Sequence, residues 1–290
     1  MSRIAYVNGR YVPHARARVH VEDRGYQFAD GVYEVIAVLK GRLVDLAPHL
    51  DRLARSLAEL RIAAPMGRAA LAHVLGEVAR RNRLGARGML YLQVTRGVAP
   101  RDHAFPAAAR PSLVVTARRL PRPNPALIEK GVGVITLPDI RWGRCDIKTV
   151  SLLANILGKQ AAVDAGAFEA WLVDAAGTVT EGSSSNAWIV DAAGVLRTRQ
   201  TDRAILPGIT RLSLIDLAGE LGVPVAEGPF TPAEAGTARE AFLTSTTATV
   251  IPVVAIDETP IGDGRPGPIT RRLRAAYLAA IGGGDGEGAP

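Results

Sequence analysis

Val32-Tyr33-Glu34-Val35-Ile36-Ala37-Val38-Leu39-Lys40-Gly41-Arg42-Leu43-Val44-Asp45-Leu46 reads as two strands, 32–39 and 42–46, folded about a Lys40-Gly41 turn. Directly after it Leu50, Leu53, Leu57 and Leu60 recur at helical spacing, so 48–60 is expected to form a helix that buries a leucine stripe. Upstream, Ala5 to Val12 reads as a hairpin around Asn8-Gly9. Downstream come a second helix over 68–82 and strands over 89–96 and 113–117. The alternation of the two periods points to a mixed α/β fold.

Arg118 to Pro125 carries three prolines in eight residues, a stiff connector. It divides the expected organisation into a smaller N-terminal α/β domain over 1–117, a linker over 118–125 and a larger domain over 126–281. The glycine-rich, acidic tail 282–290 is expected to be disordered. Within the larger domain, 132–137, 170–173, 187–190 and 241–244 read as strands, with a polar threonine-rich loop after the last. Ser151 is expected to cap a helix ending near Gly166, Thr210 one ending at Gly222, and 269–281 forms a last helix.

The 290 residues are 48% hydrophobic and 22% charged, the composition of a globular protein with a full core. The net charge of +7 comes from scattered arginines. Neither a concentrated basic stripe nor a nucleic-acid module is present; the charge is compatible with attraction of anionic small molecules, and solubility explains it as well. One cysteine, Cys145, excludes an intramolecular disulfide and any multi-cysteine metal site; it reads as a small buried packing residue. The start Met1-Ser2-Arg3-Ile4-Ala5 lacks a signal peptide's apolar core, and no apolar stretch spans a bilayer. A cytoplasmic location is expected.

Only four of the 35 basic side chains are lysines, which narrows the search for amine chemistry. Lys40 and Lys130 each precede a glycine and read as turn residues, and Lys159 lies in an amphipathic helix as a solvated residue. Lys148, in Arg144-Cys145-Asp146-Ile147-Lys148-Thr149, lies between a strand and a helix start, where function collects. Glu181 stands in Thr180-Glu181-Gly182-Ser183-Ser184-Ser185-Asn186. A lysine that condenses with an aldehyde and a carboxylate that keeps a pyridine nitrogen protonated are the two groups that make pyridoxal phosphate an electron sink. Read alone, Glu181 is better taken as a carboxylate in a hairpin turn.

Five stretches together resemble the fold-type IV pyridoxal-phosphate aminotransferases, and within them the D-amino-acid branch. They are Asp23 to Glu34 (DRGYQFADGVYE), Arg96 to Pro106 (RGVAPRDHAFP), the Lys148 run, the Glu181 run and Pro207-Gly208-Ile209-Thr210. The resemblance covers nearly the whole chain in the right order. It implies a Schiff-base role for Lys148 and a contact of Glu181 with the pyridine nitrogen. Further cofactor contacts fall to Arg52, Ser185, Ile209, Thr210, Ser245 and Thr246. The start of the helix after Gly208 suits a phosphate, because unpaired backbone donors converge there. The resemblance also implies that Arg101 and His103 grip the substrate α-carboxylate, with Tyr33 completing the trap. In the family that arginine and histidine reach the site from a neighbouring subunit, so a homodimer with its active site at the interface is expected. Val38, Leu92 and Val98 read either as pocket borders or as core.

The implied activity is ping-pong exchange of an amino group between a D-amino acid and a 2-oxo acid, 2-oxoglutarate or pyruvate. The D preference rests on Arg101 and His103. Branched-chain L-amino-acid aminotransferases, aminodeoxychorismate lyases and (R)-amine transaminases share the lysine and the glutamate and stay open as alternatives. So does a cofactor-binding protein without turnover.

Overall fold

The computed structural model describes residues 3–282. Met1, Ser2 and the expected tail beyond Gly282 lie outside the described residues. The chain forms two compact units. One holds the residues up to Arg122 together with Ile147–Ser151; the other holds Pro123–Asp146 and the residues from Leu152 onward. The division is thus not a single cut, because the short segment bearing Lys148 packs with the first unit.

In the first unit the hairpin β1 (Ile4–Val7) and β2 (Arg10–Pro13) turns at Asn8 and Gly9, both at positive φ. A short helix α1 (Arg24–Phe28) follows, then β3 (Gly31–Leu39), β4 (Arg42–Leu43), α2 (Leu46–Glu59), α3 (Arg68–Arg81), β5 (Arg87–Thr95) and β6 (Ser112–Arg119). The strands make one antiparallel sheet in the order β2-β1-β6-β5-β3-β4. The expected strand 42–46 is cut to two residues, because Asp45 takes a left-handed conformation and Leu46 already begins α2. β6 runs to Arg119, past the expected strand end, because Arg118 and Arg119 pair with Met89 and Gly88.

The leucine stripe works as its spacing dictates. Leu50, Leu53 and Leu57 of α2 join Leu71, Val74, Leu75 and Val78 of α3 against Val32, Ile36, Leu90, Leu92 and Val115 of the sheet. Val38 and Leu92 are fully buried in this core, whereas Val98 is exposed.

The second unit contains α4 (Pro125–Glu129), β7 (Val132–Pro138), α5 (Leu153–Asp164), β8 (Glu169–Val173), β9 (Val179–Gly182), β10 (Asn186–Val190) and β11 (Leu196–Thr198). It continues with α6 (Ile209–Glu220), β12 (Val225–Glu227), α7 (Pro232–Gly236), β13 (Glu240–Ser245), β14 (Thr249–Ile256), β15 (Thr259–Pro260) and α8 (Pro268–Ala280). The sheet order is β12-β11-β10-β13-β14-β7-β8-β9, with β15 on β14. Pairing is parallel at β11/β12, β14/β7 and β7/β8, and antiparallel elsewhere.

Both faces of this sheet are covered, so β10 is buried at every residue. Trp188 and Phe242 stack at 5.4 Å and pack with Leu214, Leu273 and Tyr277 of α6 and α8. Ala187, Ile189 and Leu243 point the other way, toward Phe230 and Ala235. Ser151 does not cap α5: the helix starts two residues later with Leu152 at the N-cap, and no side chain caps it. Among the described residues no helix is long and apolar enough to cross a membrane, and no group of potential metal ligands occurs.

Leu75→Ala should cost about 2–5 kcal/mol, the penalty for emptying a fully buried site. Chemical denaturation should show a lower midpoint with an unchanged slope. An unchanged midpoint would mean that α3 is not seated on the sheet.

Candidate active site

β4 pairs only with Val38 and Leu39, which leaves the start of β3 open on that edge. The Lys148 segment takes this place. Tyr33 N donates to the Lys148 carbonyl at 2.9 Å, Val150 N donates to the Gly31 carbonyl at 3.1 Å, and Thr149 bridges Val32. Lys148 N donates to Ser56 Oγ of α2 at 3.3 Å. The lysine is thus tied by its own backbone to β3 and α2, with its side chain half-buried. Its Nζ lies 4.3 Å from the centre of the Tyr33 ring, and Tyr33 stacks on Tyr91 at 5.5 Å. Burial, with Tyr33 adding to it, pushes the Tyr91 hydroxyl up to about 12, so it stays neutral.

The neighbouring residue of β3, Glu34, has no exposed surface. Its carboxylate accepts from Arg52 Nε and Nη2, each at 2.8 Å, and pairs with His49 Nδ1 at 2.7 Å. Arg52 is therefore buried, where its place off the leucine stripe suggests a solvated residue. His49, Arg52 and Ser56 recur at helical spacing beside the leucines and form a polar, buried stripe on α2. That spacing is the available signal for this group, and the leucines mask it. Burial alone would raise Glu34, but Arg52, the His49 hydrogen bond and Lys148 outweigh it and hold it at about 2.

In the second unit Glu181 is buried in strand β9, not placed in a turn. Oε1 accepts from Arg141 Nη1; Oε2 accepts from Asn186 Nδ2 at 3.0 Å and from Leu206 N at 3.1 Å. Arg141 also binds Asp139, at 2.7 Å from Nη2 to Oδ2, and Thr180 Oγ1 donates to the same oxygen. Burial would lower Arg141, but these carboxylates outweigh it and raise it, so the guanidinium stays charged. Asn186 Nδ2 also donates to the Leu206 carbonyl at 3.0 Å. A Cβ on Gly208 would sit 2.0 Å from Asn186 Oδ1, so only glycine fits this approach.

Gly208 is the N-cap of α6, with no side-chain cap. Thr210 is therefore not the cap but the second helical residue, and its hydroxyl lies 3.3 Å from the Tyr277 hydroxyl. Asn186 pairs in register with Thr244, so the end of β13 at Ser245 lies in the same sheet region, and Ser245 Oγ accepts from Ala248 N at 3.2 Å. Thr246 follows in the turn and is half-buried. Ser185 Oγ is 3.3 Å from Glu169 Oε2.

Arg101 and His103 are exposed on an irregular loop, 4.6 Å (guanidinium carbon) and 5.5 Å (ring) from the centre of the Phe28 ring. Among the described residues, no hydrogen bond, ion pair or ring contact joins either to Tyr33 or Lys148.

Residues 31–256 match the family described as amino-transferase class IV. The chain is 45% identical to a D-alanine aminotransferase of Bacillus licheniformis over 94% of its length and 95% of the relative's. It belongs to the class IV aminotransferases. A D-alanine aminotransferase of Staphylococcus aureus (strain MSSA476) is 39% identical, over 94% of this chain and 95% of the relative. Among solved structures, a branched-chain amino acid aminotransferase with pyridoxamine 5′-phosphate superposes with a TM-score of 0.89 at 29% identity, covering 98% of this chain and 95% of that one. The branched-chain aminotransferase of the thermophilic archaeon Thermoproteus uzoniensis superposes with a TM-score of 0.87 at 26% identity, covering 99% of this chain and 97% of that one. The mixed α/β expectation, the fold-type IV resemblance, the aminotransferase class and the dependence on pyridoxal phosphate are borne out.

As in any class IV aminotransferase, an aldehyde cofactor needs an amine, a carboxylate and phosphate donors, and the residues present fit it. Lys148 offers the amine. The Glu181 carboxylate, paired with Arg141, is the kind of acid that the cofactor's ring nitrogen needs. Gly208 opens a close backbone approach at the start of α6. The other lysines differ from Lys148. Lys40 and Lys130 are exposed beside their glycines, whereas Lys159 is not simply solvated: its Nζ donates to the Phe168 carbonyl and lies 4.8 Å from the Phe168 ring. Cys145 is half-buried, with its thiol 3.2 Å from the Trp142 carbonyl, and burial pushes it up to about 11.

Because the folded-state pKa of Glu34 lies below its usual 4.5, its contribution to stability is full above pH 4.5 and is lost as pH falls through about 2. Glu34→Gln should be less stable at neutral pH by about 3–5 kcal/mol, since it strips a buried arginine of its counter-charge. It should also lose less stability than the wild type across that window. Thermal melts at both ends of the window check this; equal losses in the two proteins would clear Glu34 of the effect.

Proposed function

We propose that the chain exchanges an amino group between a D-amino acid such as D-alanine and a 2-oxo acid, 2-oxoglutarate or pyruvate. The supporting observation is the 45% identity to a D-alanine aminotransferase along nearly the full length of both chains. The branched-chain aminotransferases that share the fold stand at 24–30% identity, which favours the L-specific alternative less.

Bound pyridoxal phosphate supplies a conjugated, electron-withdrawing ring that acidifies the substrate's Cα–H bond. Lys148 would hold it covalently through Nζ. Glu181, fixed by Arg141, Asn186 and Leu206, accepts the proton-bearing ring nitrogen. The Ile209 and Thr210 N–H groups, the hydroxyls of Thr210, Ser245 and Thr246, and the charge of Arg52 take the phosphate, with Ser185 beside Glu181 on the same hairpin. With its amine free, Lys148 Nζ would be the base that moves the Cα proton. Arg101 donates two parallel hydrogen bonds to the substrate carboxylate, with His103 and Tyr33 completing the grip.

The assembly is a homodimer in which Arg101 and His103 serve the neighbouring subunit, and the chain works in the cytoplasm. Support for association comes from α5. Leu153, Ile156, Leu157 and Val163 fall on one helical face and are 54–70% exposed. Of these, Leu157 lines an apolar hollow of about 190 Å³ together with Leu137, Ile140 and Leu172 among others. An apolar surface of this kind is ordinarily covered by a partner.

Addition of D-alanine to the cofactor-loaded protein should convert its absorbance to that of the amine form, while L-leucine should not. Conversion by L-leucine alone would overturn the D assignment. Lys148→Ala should lose transamination and keep its melting temperature; near-wild-type turnover would remove Lys148 from the mechanism. Ile156→Asp with Leu157→Asp should turn a dimer into a monomer by light scattering, and a dimer that persists would place the interface elsewhere.

A further inference from the structure

The stretch Asp23 to Asp30 has no task in the amino-transfer reading, yet it is built against the loop that carries Arg101 and His103. Asp23 caps α1 by accepting from Gly25 N at 2.8 Å, and Thr95 Oγ1 donates to its other oxygen at 3.0 Å. A Cβ on Gly25 would lie 2.2 Å from Thr95 Cγ2, so α1 lies as close to β5 as glycine allows. This seat buries Arg24 to 3% exposure.

The Arg24 guanidinium then faces the loop. Nε donates to Asp30 Oδ2 at 2.8 Å, Nη1 to the Asp102 carbonyl at 2.5 Å and Nη2 to the His103 carbonyl at 3.4 Å. One rigid fork thus holds two successive carbonyls of a segment with no regular structure. Asp30 is held in turn by Arg96, with Nε to Oδ2 at 2.7 Å and Nη2 to Oδ1 at 3.0 Å. Arg96 also stacks 3.6 Å from the Phe105 ring, at the far end of the same loop.

Phe28, the last residue of α1, is half-buried and lies outside the hydrophobic core of its unit. Its ring is 4.8 Å from the Arg24 guanidinium, 4.6 Å from that of Arg101 and 5.5 Å from the His103 imidazole. A single ring outside the core therefore touches both exposed side chains proposed to grip the carboxylate.

We infer that Arg24 and Phe28 are positioning residues for the substrate carboxylate: Arg24 fixes the backbone of the loop, and Phe28 restricts the side chains of Arg101 and His103. An exposed arginine on an irregular loop samples many rotamers, and a ligand that must freeze it binds more weakly. Cation–π contact with Phe28 moves that ordering into the folding step instead. The inference rests on Arg101 and His103 being the carboxylate ligands.

The test uses the cofactor-loaded enzyme with D-alanine and 2-oxoglutarate. Phe28→Leu should raise KM for both about tenfold, with a smaller fall in kcat, because ground-state binding of the carboxylate is what it loosens. Arg101→Ala should raise KM by itself, and the losses in the double variant should be less than additive, since Phe28 acts through the side chains of Arg101 and His103. A Phe28→Leu enzyme within about twofold of wild-type KM, or a double variant with additive losses, overturns the inference. An Arg101→Ala enzyme of wild-type KM would instead sink the carboxylate reading, and the inference with it. If Phe28→Leu does not fold, Arg24→Lys, which keeps the charge facing Asp30 but loses the fork, is read by the same KM criteria against its melting temperature.

Discussion

A carboxylate with no exposed surface, Glu34, sits one residue from Tyr33, whose backbone carries the Lys148 segment. Such a charge is tolerated only when cations and donors answer it at close range. Arg52 and His49 do so from α2, and this fixes which face of the helix meets β3 as firmly as the leucines do. Ser56, one turn further on, then stands where it can accept from Lys148 N. The position of the amine in this unit thus follows from the need to satisfy one buried acid.

The second unit solves a similar problem with the same residue pair. Glu181 is buried on a strand and held by Arg141, with Asn186 and Leu206 filling its remaining oxygen. Asn186 ties this acid to the turn before α6 through the Leu206 carbonyl, and its side-chain oxygen forces glycine at 208. The acid and the helix start are therefore positioned by one shared amide, so neither can shift without the other. A guanidinium suits both clasps because it stays charged when desolvated and presents its donors in a fixed plane.

The leucine stripe, the hairpins and most strand centres are legible in the sequence because each is a simple period. The amine and the acid stand out by chemistry and by resemblance. What escapes has physical reasons. β14 contains Pro252, which argues against an inner strand, yet here the residue lies opposite Phe242 while the register toward β7 slips between Val253 and Ala255. β9 reads as a turn because its polar residues, Thr180 and Glu181, are buried to meet Asp139 and Arg141, a requirement invisible in periodicity. The stripe of His49, Arg52 and Ser56 is masked because it shares a helix with stronger apolar neighbours. Arg141 gives no signal of its own, since its role depends on Glu181, distant in sequence.

The scarcity of lysine has a bearing on selectivity of a chemical kind. An aldehyde free in solution condenses with any accessible primary amine, whereas guanidinium groups, protonated throughout the working range, compete poorly. On this surface the positive charge is carried almost wholly by arginine; Lys40 and Lys130 are exposed, and Lys159 is engaged with a carbonyl and a ring. A reactive aldehyde approaching the protein therefore meets few decoy side chains, and the amine at position 148 competes with little of its own kind.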